Sequence, residues 1–186
     1  CGPTPMLYFA AHELGCGGAI QVTGSHNPPT HNGFKMVMGG LSFFGDDIQI
    51  LGETSRNGPR FNDGGSVTEH DIQPAYIDRL AAGAEAAGLT VIWDRGNGAS
   101  GPVTEALVSR LEGTHKVLFP EIDGTFPNHH PNPVDPGTLD ILRREVAAAK
   151  ADLGIGFDGD GDRIGIIDAK GRQVPGDLLT AFLAQD

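Results

Sequence analysis

The sequence predicts an α/β fold with a largely parallel sheet, and three observations carry that expectation. Short apolar runs of strand length recur at residues 19–22, 33–37, 89–93, 116–119, 153–157 and 164–167. Between them stand segments whose apolar residues follow helical spacing. Glycine and proline mark the joints, and the 28 glycines are roughly twice the average usage of about 7%. Strands alternating with helices are the pattern of α/β chains.

Each element has a local reason. Thr4 is placed to cap a first helix with Pro5 at its first position, and Gly15 to end it. Met6, Leu7, Phe9, Ala10 and Leu14 fall at helical spacings within it. Residues 19–22 read as a short buried strand and residues 33–37 as a second. Residues 46–54 form a helix weakened by Gly52. The polar, glycine-rich stretch 57–65 suits a loop near a domain boundary, and a new unit starts near Asp71. There Ile72, Tyr76, Ile77 and Leu80 mark an amphipathic helix. A strand follows at 89–93, then a helix at 102–111 stopped by Gly113, then a strand at 116–119. The helix at 138–149 shows Leu139, Leu142 and Val146 on one face. Strands 153–157 and 164–167 flank an acidic segment, and 176–184 is a final helix. The connection 120–137 is irregular and holds five prolines. Loops this long are often functional, and proline lowers the entropy lost on ordering them.

Composition narrows the classes. Hydrophobic residues make up 39% and charged residues 20%, enough for a globular core. A net charge of −11 argues against nucleic acid, whose binders need a basic footprint. No apolar run approaches the roughly 20 residues that span a bilayer, so no membrane partner is expected. Cys1 and Cys16 make no disulfide framework, which favours a reduced, cytoplasmic setting. The chain begins at Cys1, just ahead of a helix signal and with no room for a preceding strand. It therefore reads as a fragment, and its lack of a targeting segment carries little weight.

Two segments carry chemistry. Thr23-Gly24-Ser25-His26-Asn27-Pro28-Pro29, followed by Asn32-Gly33-Phe34-Lys35, sets a hydroxyl on a stiff loop at a strand end. Ligands of α/β sheets bind at such ends. Ser25 suits phosphoryl carriage, with a turn serine as the plainer reading. His26 is placed to move a proton or contact phosphate, and Lys35 to pair with phosphate as a point charge. Far downstream, Asp158, Asp160 and Asp162 alternate with glycine and precede Arg163. Carboxylates spaced this way can converge on a hard cation such as Mg²⁺, Ca²⁺ or Mn²⁺. An EF-hand is excluded, because its sixth and twelfth positions would be Arg163 and Ala169. An acidic surface turn is the remaining alternative. Flanking strands disfavour it, because packed carboxylates need a compensating cation. Gly96, Gly98 and Gly101 form a GxGxxG with Glu121 twenty residues on, superficially a dinucleotide fingerprint. Pro102 starts the helix only after the third glycine, so a structural turn is the better reading. His129 and His130 are adjacent and read as side chains that pin the proline-rich loop.

Taken in order, these motifs resemble the α-D-phosphohexomutases, more narrowly the bacterial phosphomannomutase/phosphoglucomutase branch. The resemblance rests on residues 23–29 and 158–163, and also on Phe126-Pro127-Asn128-His129-His130-Pro131-Asn132-Pro133 and Asp94-Arg95-Gly96-Asn97-Gly98-Ala99. It implies two three-layer α/β/α-type units with mixed, largely parallel sheets, the first incomplete. Residues 1–70 would be the C-terminal part of the family's domain 1. Residues 71–186 would be domain 2 with the start of a linker helix, and domains 3 and 4 would be missing. It further implies a phosphoserine at Ser25 and Mg²⁺ held by Ser25, Asp158, Asp160 and Asp162. His26, Lys35 and Arg163 would face the reacting groups, with hexose monophosphate and hexose 1,6-bisphosphate as partners. The fragment alone would have little turnover. A dinucleotide-binding oxidoreductase domain and a non-catalytic phosphoserine/metal-binding fragment are the alternatives.

Overall fold

The computed structural model describes residues 1–28, 30–58, 61–85 and 87–185. Pro29 of the serine loop and residues 59 and 60 of the 57–65 stretch lie outside the described residues. The elements are α1 (Thr4–Glu13), β1 (Gly18–Thr23), β2 (Gly33–Met38), β3 (Leu41–Ser42), α2 (Asp46–Arg56), α3 (Gln73–Ala82), β4 (Thr90–Asp94), α4 (Gly101–Val108) and β5 (Thr114–Leu118). A 3₁₀ turn (Pro136–Leu139) then leads into α5 (Asp140–Ala149), followed by β6 (Leu153–Phe157), β7 (Ile164–Asp168), β8 (Gln173–Val174) and α6 (Gly176–Leu183). Among the described residues, no helix is long and apolar enough to cross a membrane.

The strands build two sheets. One has the order β1-β2-β3 and the other β5-β4-β6-β7-β8. The α/β class and the mixed sheet are as expected, but the parallel share is smaller. Among the described residues, parallel pairing is confined to β5-β4 and β4-β6. The pairs β1-β2, β2-β3, β6-β7 and β7-β8 are antiparallel. Connection length explains this. Residues 24–32 and 158–163 are too few for the crossover of about a dozen or more residues that a parallel pair needs. Each of these loops is therefore the turn of an antiparallel pair.

The core lies in the second sheet. The face of α5 read from the sequence packs there, with Leu142 and Val146 fully buried beside Leu139, Ile92, Leu118 and Ile167. Lys150 closes α5 in the left-handed conformation at φ 50°. On the same side, Lys116 pairs with Glu145 at 2.6 Å.

Three local expectations change, and two short strands were not foreseen. Thr4 does not cap α1: Pro3 occupies that position, Thr4 is the first helical residue and its hydroxyl is used elsewhere. β1 is not a buried strand, since α1 packs on the sheet while Ile20 and Val22, on alternate positions, stay exposed. α4 begins at the third glycine rather than after it. β3 and β8, two residues each, are too short for any periodicity to reveal.

The proline-rich connection is pinned as read. Nε2 of His129 lies 3.0 Å from both carboxylate oxygens of Asp94, which is 1% exposed. The imidazole stands edge-on to Phe119, and Asn128 donates to Asn97 at 2.7 Å. His130 contributes its backbone carbonyl, so the two histidines do not act as a ligand pair. The hydrogen bond to Asp94 raises the His129 pKa above its ordinary value of 6.5, outweighing burial, which lowers it. A raised folded pKa gives stability that is complete below the ordinary value and is lost as pH rises through the folded one. Replacing His129 with Gln should therefore cost about 2 kcal/mol in urea unfolding near pH 5.5. The cost should fall by at least half near pH 9, where the neutral ring still donates one bond. A cost that stays constant across that range would remove the ion pair from the account.

Candidate functional site

Ser25 sits in a tight turn just after β1. The Ser25 amide donates to Oγ1 of Thr23 at 2.9 Å, and the Asn27 amide to the carbonyl of Gly24 at 2.8 Å. Ser25 itself has φ 49°, a left-handed conformation that costs an L-residue roughly 1–2 kcal/mol. Backbone strain of this kind gathers at functional sites because the surroundings must over-determine it. Here the determinants come from the other sheet.

Residues 158–163 turn β6 into β7, with Asp158 as the keystone. Its Oδ1 accepts the amides of Asp162 and Arg163, both at 3.0 Å, which curls the loop. Its Oδ2 accepts Oγ of Ser25 at 2.7 Å and the Arg163 guanidinium at 2.9 and 3.1 Å. Arg163 Nη2 also reaches Oγ of Ser25 at 3.3 Å and contacts Nδ1 of His26. That same Nδ1 stands 3.2 Å from Oγ. The serine hydroxyl is therefore enclosed by a carboxylate, a guanidinium and an imidazole, two of them from a segment more than 130 positions away.

Asp160 and Asp162 complete the cluster. One oxygen from each of Asp158, Asp160 and Asp162 lies within 4.8 Å of the others, the convergence expected from the alternating glycines. Lys35, on β2 opposite Gln21, puts its ammonium 2.6 Å from Asp160 and 2.5 Å from Asp162. Burial pushes its pKa down, but hydrogen bonds and attraction from the two aspartates prevail, and it lies above the ordinary lysine value. Burial would raise Asp160, yet hydrogen bonds from Lys35 and Thr4 hold it at about 2. Asp158 is raised, chiefly by burial.

The donor set fits a hard divalent cation. All the converging atoms are oxygens, and Oδ1 of Asp160 is buried with no hydrogen-bond partner. Buried carboxylate oxygens without partners are costly unless a cation satisfies them. A cleft of about 330 Å³ opens beside the cluster, lined by Ser25, His26, Lys35, Asp162 and Arg163 among others.

All seven residues singled out from the sequence thus meet at one place. Sequence reasoning missed Thr4, whose hydroxyl donates to Asp160 at 2.7 Å and whose amide donates to the Asp160 carbonyl at 2.8 Å. No local signal marks a contact that spans 156 positions. Arg95, whose buried charge is felt by Asp158, was not singled out either. It is 2% exposed, stacks 3.3 Å over the Phe157 ring and has a pKa depressed to about 9, first by burial. The glycine turn at 96–101 offers no phosphate cradle. The amides of Asn97, Gly98 and Ala99 are committed to the carbonyls of Phe119, Arg95 and Gly159. That removes the physical basis of the dinucleotide reading.

Residues 74–171 match the family described as phosphoglucomutase/phosphomannomutase, alpha/beta/alpha domain II, and residues 1–58 match its domain I. A phosphomannomutase/phosphoglucomutase of Pseudomonas aeruginosa is 40% identical over 99% of the chain. A phosphoglucomutase of Neisseria gonorrhoeae is 40% identical over 98%. The chain spans 40% of the length of each. A crystal structure of a phosphoglucomutase/phosphomannomutase family protein from Burkholderia thailandensis superposes with a TM-score of 0.88 at 38% identity, over 95% of this chain and 40% of that one. A Thermus thermophilus structure, with a TM-score of 0.83 at 24% identity over 99% of this chain and 44% of that one, shares the fold.

Proposed function

Because the chain belongs to the phosphoglucomutase/phosphomannomutase family, we propose that it supplies the phosphoryl-carrying serine and the metal loop of a hexose-phosphate mutase. The observation that carries this is Oγ of Ser25, 2.7 Å from Asp158 at the edge of the carboxylate triad and within reach of Arg163. On this reading, residues 1–70 belong to the family's domain 1 and residues 71–186 to domain 2. Full turnover belongs to a protein of the relatives' length.

A sugar hydroxyl of a hexose monophosphate attacks the phosphorus on Ser25. A new P–O bond to the sugar forms, the P–Oγ bond breaks and Oγ leaves as an alkoxide that must be neutralised. The sugar hydroxyl proton leaves to a base. The resulting hexose 1,6-bisphosphate then returns its other phosphoryl group to Oγ.

Each side chain has a task in that sequence. Arg163 presents its guanidinium to the transferred group, where charge stabilisation is the main source of rate. His26, with Nδ1 3.2 Å from Oγ, is placed to exchange the proton. Lys35, whose ammonium stands at Asp160 and Asp162, is the other candidate to exchange that proton or to pair with phosphate as a point charge. Asp158, Asp160, Asp162 and the Ser25 oxygen would hold Mg²⁺, which supplies charge neutralisation at the phosphoryl group.

The test uses the chain itself. After incubation with glucose 1,6-bisphosphate and Mg²⁺, intact-mass measurement should show one added phosphoryl group, and peptide mapping should place it on Ser25. Chelation with EDTA should prevent the uptake. Phosphate mapped to another residue would overturn the assignment, and nicotinamide binding without phosphosugar binding would favour an oxidoreductase.

A further inference from the structure

We infer that Gly159 is a positioning residue: its bare α-carbon is the seat on which the Ser25 turn rests, and it fixes the distance between the serine hydroxyl and Asp158. The inference rests on the assignment of Ser25 as phosphoryl acceptor. It concerns a residue that touches neither the phosphoryl group nor a cation.

The peptide around Gly159 is held from two sides. On one side the glycine turn acts as a backing. The Ala99 amide donates to the Gly159 carbonyl at 2.8 Å. A Cβ on Gly98 would come within 2.8 Å of that carbonyl oxygen and 3.1 Å of the Asp158 one. Those contacts leave the acidic loop no room to retreat. On the other side, a Cβ on Gly159 would lie 2.3 Å from the Ser25 carbonyl oxygen, 3.1 Å from its carbon and 3.4 Å from the Phe126 ring. Three backbone layers therefore stack with no side chain between them: the 96–101 turn, the acidic loop and the serine turn. This also gives the GxGxxG segment a use that its resemblance to a nucleotide fingerprint hid.

A methyl group at position 159 cannot be absorbed by a flexible side chain, because the two nearest atoms are the carbonyl oxygen and carbon of Ser25. Gly159 is not among the positive-φ glycines, so alanine meets no conformational penalty there and acts through contact alone. The give must come from the serine turn, by about an ångström. Misplacement of that size at a reacting group can cost about 100-fold in rate.

The experiment compares the wild-type chain with Gly159→Ala and Gly98→Ala. For Gly159→Ala, the initial rate of phosphoryl uptake from glucose 1,6-bisphosphate should fall about 100-fold. Mn²⁺ affinity by calorimetry should fall by much less than the transfer rate does, because the three carboxylates keep their backing and only the Ser25 oxygen is drawn away. Gly98→Ala, which presses on the Asp158 and Gly159 carbonyls, should weaken Mn²⁺ binding as well as transfer. A merely structural glycine would move both readouts together in both variants. Crystal structures supply a readout that needs no transfer. The separation of Ser25 Oγ from Asp158 Oδ2 should grow by at least about 1 Å in Gly159→Ala. Uptake at the wild-type rate, or an unchanged separation, overturns the inference. If the wild-type chain takes up no phosphate, the mutase reading fails, and the measured separation alone decides whether Gly159 is the seat.

Discussion

Ser25→Ala should take up no phosphoryl group from glucose 1,6-bisphosphate under conditions in which the wild-type chain is fully labelled. Its fold should be unchanged. The hydroxyl is half-buried in a loop, so removing it opens no core cavity. The Asp158 oxygen it leaves keeps two guanidinium bonds from Arg163. A companion variant separates chemistry from strain. Ser25→Gly lacks the acceptor too, but relieves the left-handed backbone at φ 49°. It should be more stable than Ser25→Ala by on the order of 1 kcal/mol in urea unfolding, after the entropic cost of glycine. Labelling of the alanine variant would show that the acceptor lies elsewhere. Equal stability of the two variants would show that the turn carries no strain.

Asp160→Asn should weaken Mg²⁺ or Mn²⁺ binding by more than the roughly 10–100-fold that follows loss of groups that merely orient metal ligands. Asp160 is 2% exposed and holds the orphaned oxygen. Its carboxylate also anchors Lys35 at 2.6 Å and Thr4 at 2.7 Å. The amide keeps the shape and loses the charge, so a lost cation can be told from a lost fold. Calorimetry of the purified variant is the measurement. An affinity equal to wild type would place the cation away from this cluster, or leave the cluster without one.

Local chemistry was legible in the sequence because it is written in adjacent residues. The alternation of Asp158, Asp160 and Asp162 with glycine foretold convergence. The apolar positions of α5 foretold the face that meets Ile92 and Ile167. What the sequence hid lies in contacts between distant backbones. Nothing near Thr4 says that its hydroxyl ends on Asp160, and nothing near Ala99 says that its amide ends on Gly159. Strand direction is decided by loop length and not by strand composition, so the apolar runs alone did not state it, as between β6 and β7. Burial of β1 was misjudged because an apolar run does not state which of its faces a helix will cover.

That last feature bears on how the isolated chain behaves as a particle in solution. Ile20, Val22, Phe34 and Met38 project from one face of the small sheet, each about 60% exposed, with Leu41 beside them at 75%. Against this adhesive patch stands a net charge of −11, whose repulsion reaches only about 10 Å at 0.1 M salt and about 3 Å at 1 M. Salt therefore shortens the repulsion while leaving the apolar attraction intact, so light scattering should show the chain keeping apart in dilute buffer and associating as ionic strength rises. Colloidal stability here is set by the solvent as much as by the fold.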